Sequence, residues 1–98
     1  MVELKDLQKE IYQNKVKKGF NTNDIPAEFC LIHGELAELF EAWKKEKESV
    51  GEELADVFIY LLGLAEILNI NVEQEIIKKI KINEKRVYRA VNNHLEKE

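Results

Sequence analysis

"GELAELFEAW" (residues 34–43) and "EELADVFIYLLGLAEIL" (residues 52–68) decide how this chain is read. Both place apolar residues at helical spacings of three and four, yet each carries an acidic pair outside the polar side that a surface helix normally reserves for charge. On the helix that carries the first, Phe29, Ile32, Leu36, Phe40 and Trp43 form a stripe that we expect to mark the centre of the core-facing side. Glu35 and Glu38 fall on its flank among Leu31, Leu39 and Ala42. In the second, Leu54, Val57, Phe58, Leu61 and Ala65 set the centre, and Glu53 and Asp56 lie beside Tyr60, Leu64 and Ile67.

An acidic pair at i, i+3 projects from successive turns in nearly one direction, and a short turn between two helices makes them antiparallel neighbours, so the four groups can converge. Converging carboxylates repel, and taking them out of water unpaired costs several kcal/mol. They call for cations. An all-oxygen set without His or Cys suits Mg²⁺, or Mn²⁺, rather than zinc. The competing explanation is chance, because a chain with 19 acidic residues produces such pairs in solvent as well. A di-iron bundle would need Glu-x-x-His pairs; His33 precedes Glu35 and His94 is distant, and both histidines read as surface or packing residues.

Outward from these stretches, the pattern predicts helix one from Val2 to Lys18, with a broken stripe of Leu4, Leu7, Ile11 and Val16 and a stop at Gly19. "GFNTNDIP" is a loop leading into helix two, Pro26 to Lys47. "KKEKES" reads as solvated surface and a turn, and helix three runs from Glu52 to Leu68. Past "NINVEQE", helix four extends from Val72 into the C-terminal region, with Ile76, Ile80, Val87 and Val91 on its apolar side. No strand pattern is evident. We therefore expect one all-α domain over residues 1–98, a four-helix bundle.

Composition narrows the function classes. A net charge of −4 gives no electrostatic reason to bind a nucleic-acid polymer or an anionic membrane. Cys30 stands alone, which excludes an internal disulfide and fits a reducing compartment. The charged N-terminus lacks an apolar signal core, and the longest apolar run is too short to span a bilayer, so we expect a soluble cytoplasmic protein. From Val57 to Leu68 all residues but Gly63 and Glu66 are apolar or aromatic. A helix apolar all round must be buried all round. Four short helices cannot enclose it, so we expect a homodimer or homotetramer formed through apolar helix faces.

Glu-x-x-Glu, a gap of fourteen residues and Glu-x-x-Asp together resemble the motif of the MazG-like all-α nucleoside triphosphate pyrophosphohydrolases, the superfamily of dimeric dUTPases and phosphoribosyl-ATP pyrophosphatases. The two quoted stretches resemble its motif helices, and "KIKINEKR" (residues 79–86) resembles its C-terminal Lys-x-x-x-Asn-x-x-Arg element. The resemblance implies an oligomeric bundle that hydrolyses a nucleotide between its α- and β-phosphates, releasing a nucleoside monophosphate and pyrophosphate. Carried over by position, it makes Glu35, Glu38, Glu53 and Asp56 the Mg²⁺ ligands, with one of Glu35 and Glu38 also activating water. Lys79, Asn83 and Arg86 become contacts to the nucleotide, although Lys79 and Arg86 also read as ordinary surface charges. Tyr60, one turn beyond Asp56, lines either the base pocket or the core. The chain departs from many relatives in "LIHGE", where they carry an additional Glu, and in Val87 and Tyr88, where they carry proline. The alternative function class is a catalytically idle helical module that senses nucleotides or binds proteins.

Overall fold

Four helices follow one another in the computed structural model, which describes residues 2–86, 88–91 and 94–97. They are α1 (Leu4–Lys18), α2 (Ile25–Lys44), α3 (Val50–Ile67) and α4 (Val72–Lys85). Their limits have local causes. Gly19, at φ 72°, takes the left-handed conformation that ends α1, its N–H bonding back to the carbonyls of Lys15 and Val16. The Asp24 side chain caps α2 by accepting from the Ala27 N–H at 3.1 Å, and Pro26 occupies its first turn. Asn71 caps α4 in the same way, accepting from the Gln74 N–H at 3.1 Å. The second helix stops three residues earlier than the sequence suggests, because Glu46 turns left-handed at φ 54° and the Lys47 N–H closes on the Ala42 carbonyl at 2.9 Å.

α2 and α3 share the most extensive contact, and α1 lies across α3. α4 leaves α3 at 103° and packs chiefly on α1. The junction is tied by Gln8, nearly inaccessible at 3% exposure. Its Nε2 donates to Glu66 Oε1 at 2.9 Å and to the Ile70 carbonyl at 2.6 Å, and its Oε1 accepts from the Val72 N–H at 3.4 Å. Leu4 N–H adds a bond to Glu73 Oε1 at 3.1 Å. No single helix among the described residues is long and apolar enough to cross a membrane.

The all-α architecture stands with one addition. Helix four ends at Lys85, and a short antiparallel hairpin follows, β1 (Tyr88–Val91) with β2 (His94–Lys97). Val91 therefore belongs to a strand rather than to α4, and Val87 lies outside the described residues.

The expected core stripe of α2 is corrected by the structure. Phe40 and Trp43 are 56% and 65% exposed, and Phe29 and Leu36 are exposed too. The inward side is instead Glu28, Ile32, Glu35, Leu39 and Ala42. The two stripes differ by one residue at most positions, a rotation of about 100°. On α3 the core is Val57 with Leu62, Gly63, Leu64 and Ala65, while Leu54, Phe58 and Leu61 face outward. Periodicity identifies an apolar side but not the partner that covers it, and within one chain the buried positions include the small residues Ala42, Gly63 and Ala65.

Candidate metal centre

Turning α2 inward by that rotation brings its carboxylates toward α3. Glu35, Glu38 and Glu53 each offer a carboxylate oxygen, and the three oxygens lie within 4.8 Å of one another. Glu35 and Glu53 are half-buried and Glu38 is exposed at the mouth. One oxygen of Glu35 and one of Glu53, Oε2 in each case, are inaccessible to solvent and have no hydrogen-bond partner. Orphaned acceptors of this kind are costly unless something electropositive occupies the space between them. The donor set is all oxygen, which fits a hard divalent cation.

Electrostatics agree. The Glu35 carboxyl is held above the usual carboxylate range, first by burial, then by the charges of Glu38 and Asp56, by a hydrogen bond with Glu38 and by the charge of Glu53. The perturbing charges are all acidic. Asp56 acts on Glu35 through its charge, but it is exposed and stands outside the three-way convergence, so the expected set of four meets as three.

Tyr60 borders the cluster. Burial raises its phenol, and so do Glu35, Glu28, Asp56 and Glu38, in that order. Tyr60 also lines a groove of about 870 Å³ between α1 and α3, together with Lys15, Lys17, Lys18, Phe20 and Phe58. That volume is in the range of small-molecule sites.

The residues on α4 are placed differently. Lys79 and Asn83 are exposed on a helix that packs chiefly on α1 rather than on the α2–α3 pair carrying the carboxylates. Arg86 is half-buried at the end of α4, and its Nη1 is enclosed without a hydrogen-bond partner among the described residues. The fold of one chain gathers the acidic residues and leaves the basic element apart.

Two buried charges escaped the sequence reading. Lys15 and Glu28 form an ion pair, their side chains 10% and 1% exposed. A signal was present: Leu4, Gln8, Ile11 and Lys15 recur at spacings of four, three and four, so α1 turns Gln8 and Lys15 inward and leaves Val16 exposed. Glu28 likewise precedes Glu35 by two turns on the same side of α2.

Comparison with known proteins bears on this geometry. Residues 30–98 match the family described as the MazG-like family. Over 64 residues, 54% of this chain, the sequence is 41% identical to dCTP pyrophosphatase 1 of Mus musculus and 39% identical to dCTP pyrophosphatase 1 of Rattus norvegicus. The matched stretch spans only 38% of the length of each relative. No solved structure matches the chain significantly.

Proposed function

The chain belongs to the MazG-like family, and on that footing we propose that it is a Mg²⁺-dependent nucleotide pyrophosphohydrolase, cleaving a nucleoside triphosphate or modified nucleotide between the α- and β-phosphates. The observation that carries the reading is the convergence of Glu35, Glu38 and Glu53 within 4.8 Å around two orphaned, inaccessible oxygens. An idle interaction module has no use for repelling carboxylates held in this way.

Glu35, Glu38, Glu53 and Asp56 would hold Mg²⁺, with Mn²⁺ as a substitute. When bound, the cation neutralises phosphate oxygens and lowers the pKa of a coordinated water. The protein's own contribution is placement. The rigid α2–α3 contact fixes the carboxylates, and the exposed Glu38 stands where solvent enters, so that it or the neighbouring Glu35 orients and deprotonates the attacking water. Tyr60 walls the cluster on the side of the α1–α3 groove, where a nucleoside has room.

Lys79, Asn83 and Arg86 are assigned to the phosphates and nucleotide in an assembled homo-oligomer. Support comes from two features. α4 projects from its own bundle. Large apolar side chains, including Phe40, Trp43, Phe58, Ile76 and Ile80, lie exposed on one chain, an amount of apolar surface that soluble monomers rarely leave uncovered. A second copy supplies both the cover and a basic helix for an acidic site. The working compartment in this reading is the cytoplasm.

The test is product analysis. Purified protein is incubated with Mg²⁺ and a panel of canonical and modified nucleoside triphosphates, and pyrophosphate is separated from phosphate. Release of nucleoside monophosphate and pyrophosphate, lost in Glu38→Ala and in Asp56→Ala while helicity is retained, is the expected result. Nucleoside diphosphate and phosphate as products, or full activity in both variants, sinks the assignment.

A further inference from the structure

The Lys15–Glu28 pair is the most enclosed pair of opposite charges among the described residues. Taking two such ions out of water costs several kcal/mol each, and apolar side chains of similar size often serve packing as well or better. Packing alone is a poor reason for it. Asn21 completes the cluster: its Nδ2 donates to Glu28 Oε2 at 3.1 Å and to the Asp24 carbonyl at 2.8 Å, and its Oδ1 accepts from the Asp24 N–H at 2.9 Å. The α1–α2 loop is thereby fastened to the same two charges.

Three observations aim this cluster at the candidate metal centre. The Lys15 ammonium stands 5.6 Å from the centroid of the Tyr60 ring, inside the range of a cation–π contact. Tyr60 follows Glu53 by seven residues, two turns along the same side of α3, so its ring and that carboxylate share one face, and, with burial, the charges of Glu35 and Glu28 both raise its phenol. Gly63, one turn beyond Tyr60, makes the approach possible, since a Cβ there would stand 3.3 Å from Lys15 Cδ and 3.9 Å from Nζ. The lysine stem crosses α3 where α3 has no side chain.

We infer that Lys15 is a positioning residue of the site: clamped by Glu28 and Asn21, its ammonium holds the Tyr60 ring as the wall between the α1–α3 groove and the carboxylates. Neither Lys15 nor Glu28 meets the reacting atoms. The catalytic part of the inference rests on the pyrophosphohydrolase reading; the structural part does not.

Lys15→Met keeps the stem and removes the charge. In the metal-free protein with ¹³C-labelled tyrosine, the Tyr60 ring signals, assigned with Tyr60→Phe, are expected to shift and broaden in Lys15→Met. Unchanged Tyr60 signals overturn the inference. With the active protein, Lys15→Met is expected to lower kcat about tenfold or more through misplacement of the wall, and to have no such effect in a Tyr60→Leu background. Its loss of thermal stability, which reflects chiefly the broken ion pair, should persist in both backgrounds. An equal fall in kcat in both backgrounds, or a fall in Tm with kcat unchanged, also overturns it. If Lys15→Met does not fold, Glu28→Gln, which loosens the clamp while leaving the lysine an amide partner, takes its place with the same readouts. If the wild type releases no pyrophosphate from any nucleotide, the function proposed above has failed, and the ring signals alone decide the role of Lys15.

Discussion

Neutralising Glu35 should make the metal-free protein more stable while abolishing its response to Mg²⁺. In Glu35→Gln the repulsion with Glu38 and Glu53 disappears. At a separation of 4.8 Å two unit charges repel by about 1 kcal/mol in water and about 3.5 kcal/mol at an effective dielectric near 20. Glu38 is exposed and the other two are half-buried, so solvent screening favours the lower figure for each pair. Two pairs give about 2 kcal/mol, which is roughly 8–16 °C in Tm for a domain of this size. The pH dependence follows from the same charges. The Glu35 carboxyl is raised in the folded state, so the native protein binds more protons than the unfolded chain between the unfolded and folded pKa values, and stability falls as pH rises through the folded value. Metal-free wild type should therefore gain stability on acidification through that window, with no further gain from this group below the ordinary carboxylate pKa. Glu35→Gln should lack this component. With Mg²⁺ the order changes: wild type gains about 1.4 kcal/mol for each tenfold excess of free metal over its Kd, and the variant stays flat. Thermal melts in chelator and across a Mg²⁺ series measure both effects. A variant less stable than wild type in chelator, or one that keeps the Mg²⁺-dependent rise, would refute the account of the site.

Phe40→Glu combined with Trp43→Glu should dissociate the proposed homo-oligomer, because both side chains belong to the apolar stripe of α2 and are more than half exposed on one chain; sedimentation should show a helical monomer, and an unchanged oligomer would count against the interface. Gly63→Ala should lower stability by about 1 kcal/mol, since overpacking against the Lys15 stem at 3.3 Å outweighs the helix-propensity gain of about 1 kcal/mol; chemical denaturation checks the sign. Gln8→Ala removes three bonds joining α1 to the α3–α4 junction, at 2.9, 2.6 and 3.4 Å, and should cost about 2–3 kcal/mol in the same assay. Amide exchange in that variant should rise first around residues 68–72.

The acidic spacing was legible because it is local: an i, i+3 pair has a defined direction on any helix, and a short turn between α2 and α3 makes them antiparallel. The caps were legible for a similar reason, as Gly19 and Pro26 act within a turn of themselves. The facing of α2 was not. Its aromatic stripe is the stronger apolar signal, yet Phe40 and Trp43 point away from the chain's own core, while Glu28 and Glu35 point inward. Hydrophobicity records that a face is to be covered and is silent on whether α3 or another copy covers it.

The sequence by itself thus determined that there are four helices, their order and the i, i+3 acidic pairs on α2 and α3, of which Glu35, Glu38 and Glu53 converge, because backbone propensity, capping and helical periodicity operate over a few residues. Only the tertiary structure decided that α4 stands apart from the carboxylates and that Lys15, thirteen residues from Glu28, is sealed against it beside Tyr60. Those outcomes depend on which helix packs where. A buried charge finds its partner across helices in space, and the one-dimensional pattern carries the charge without its partner.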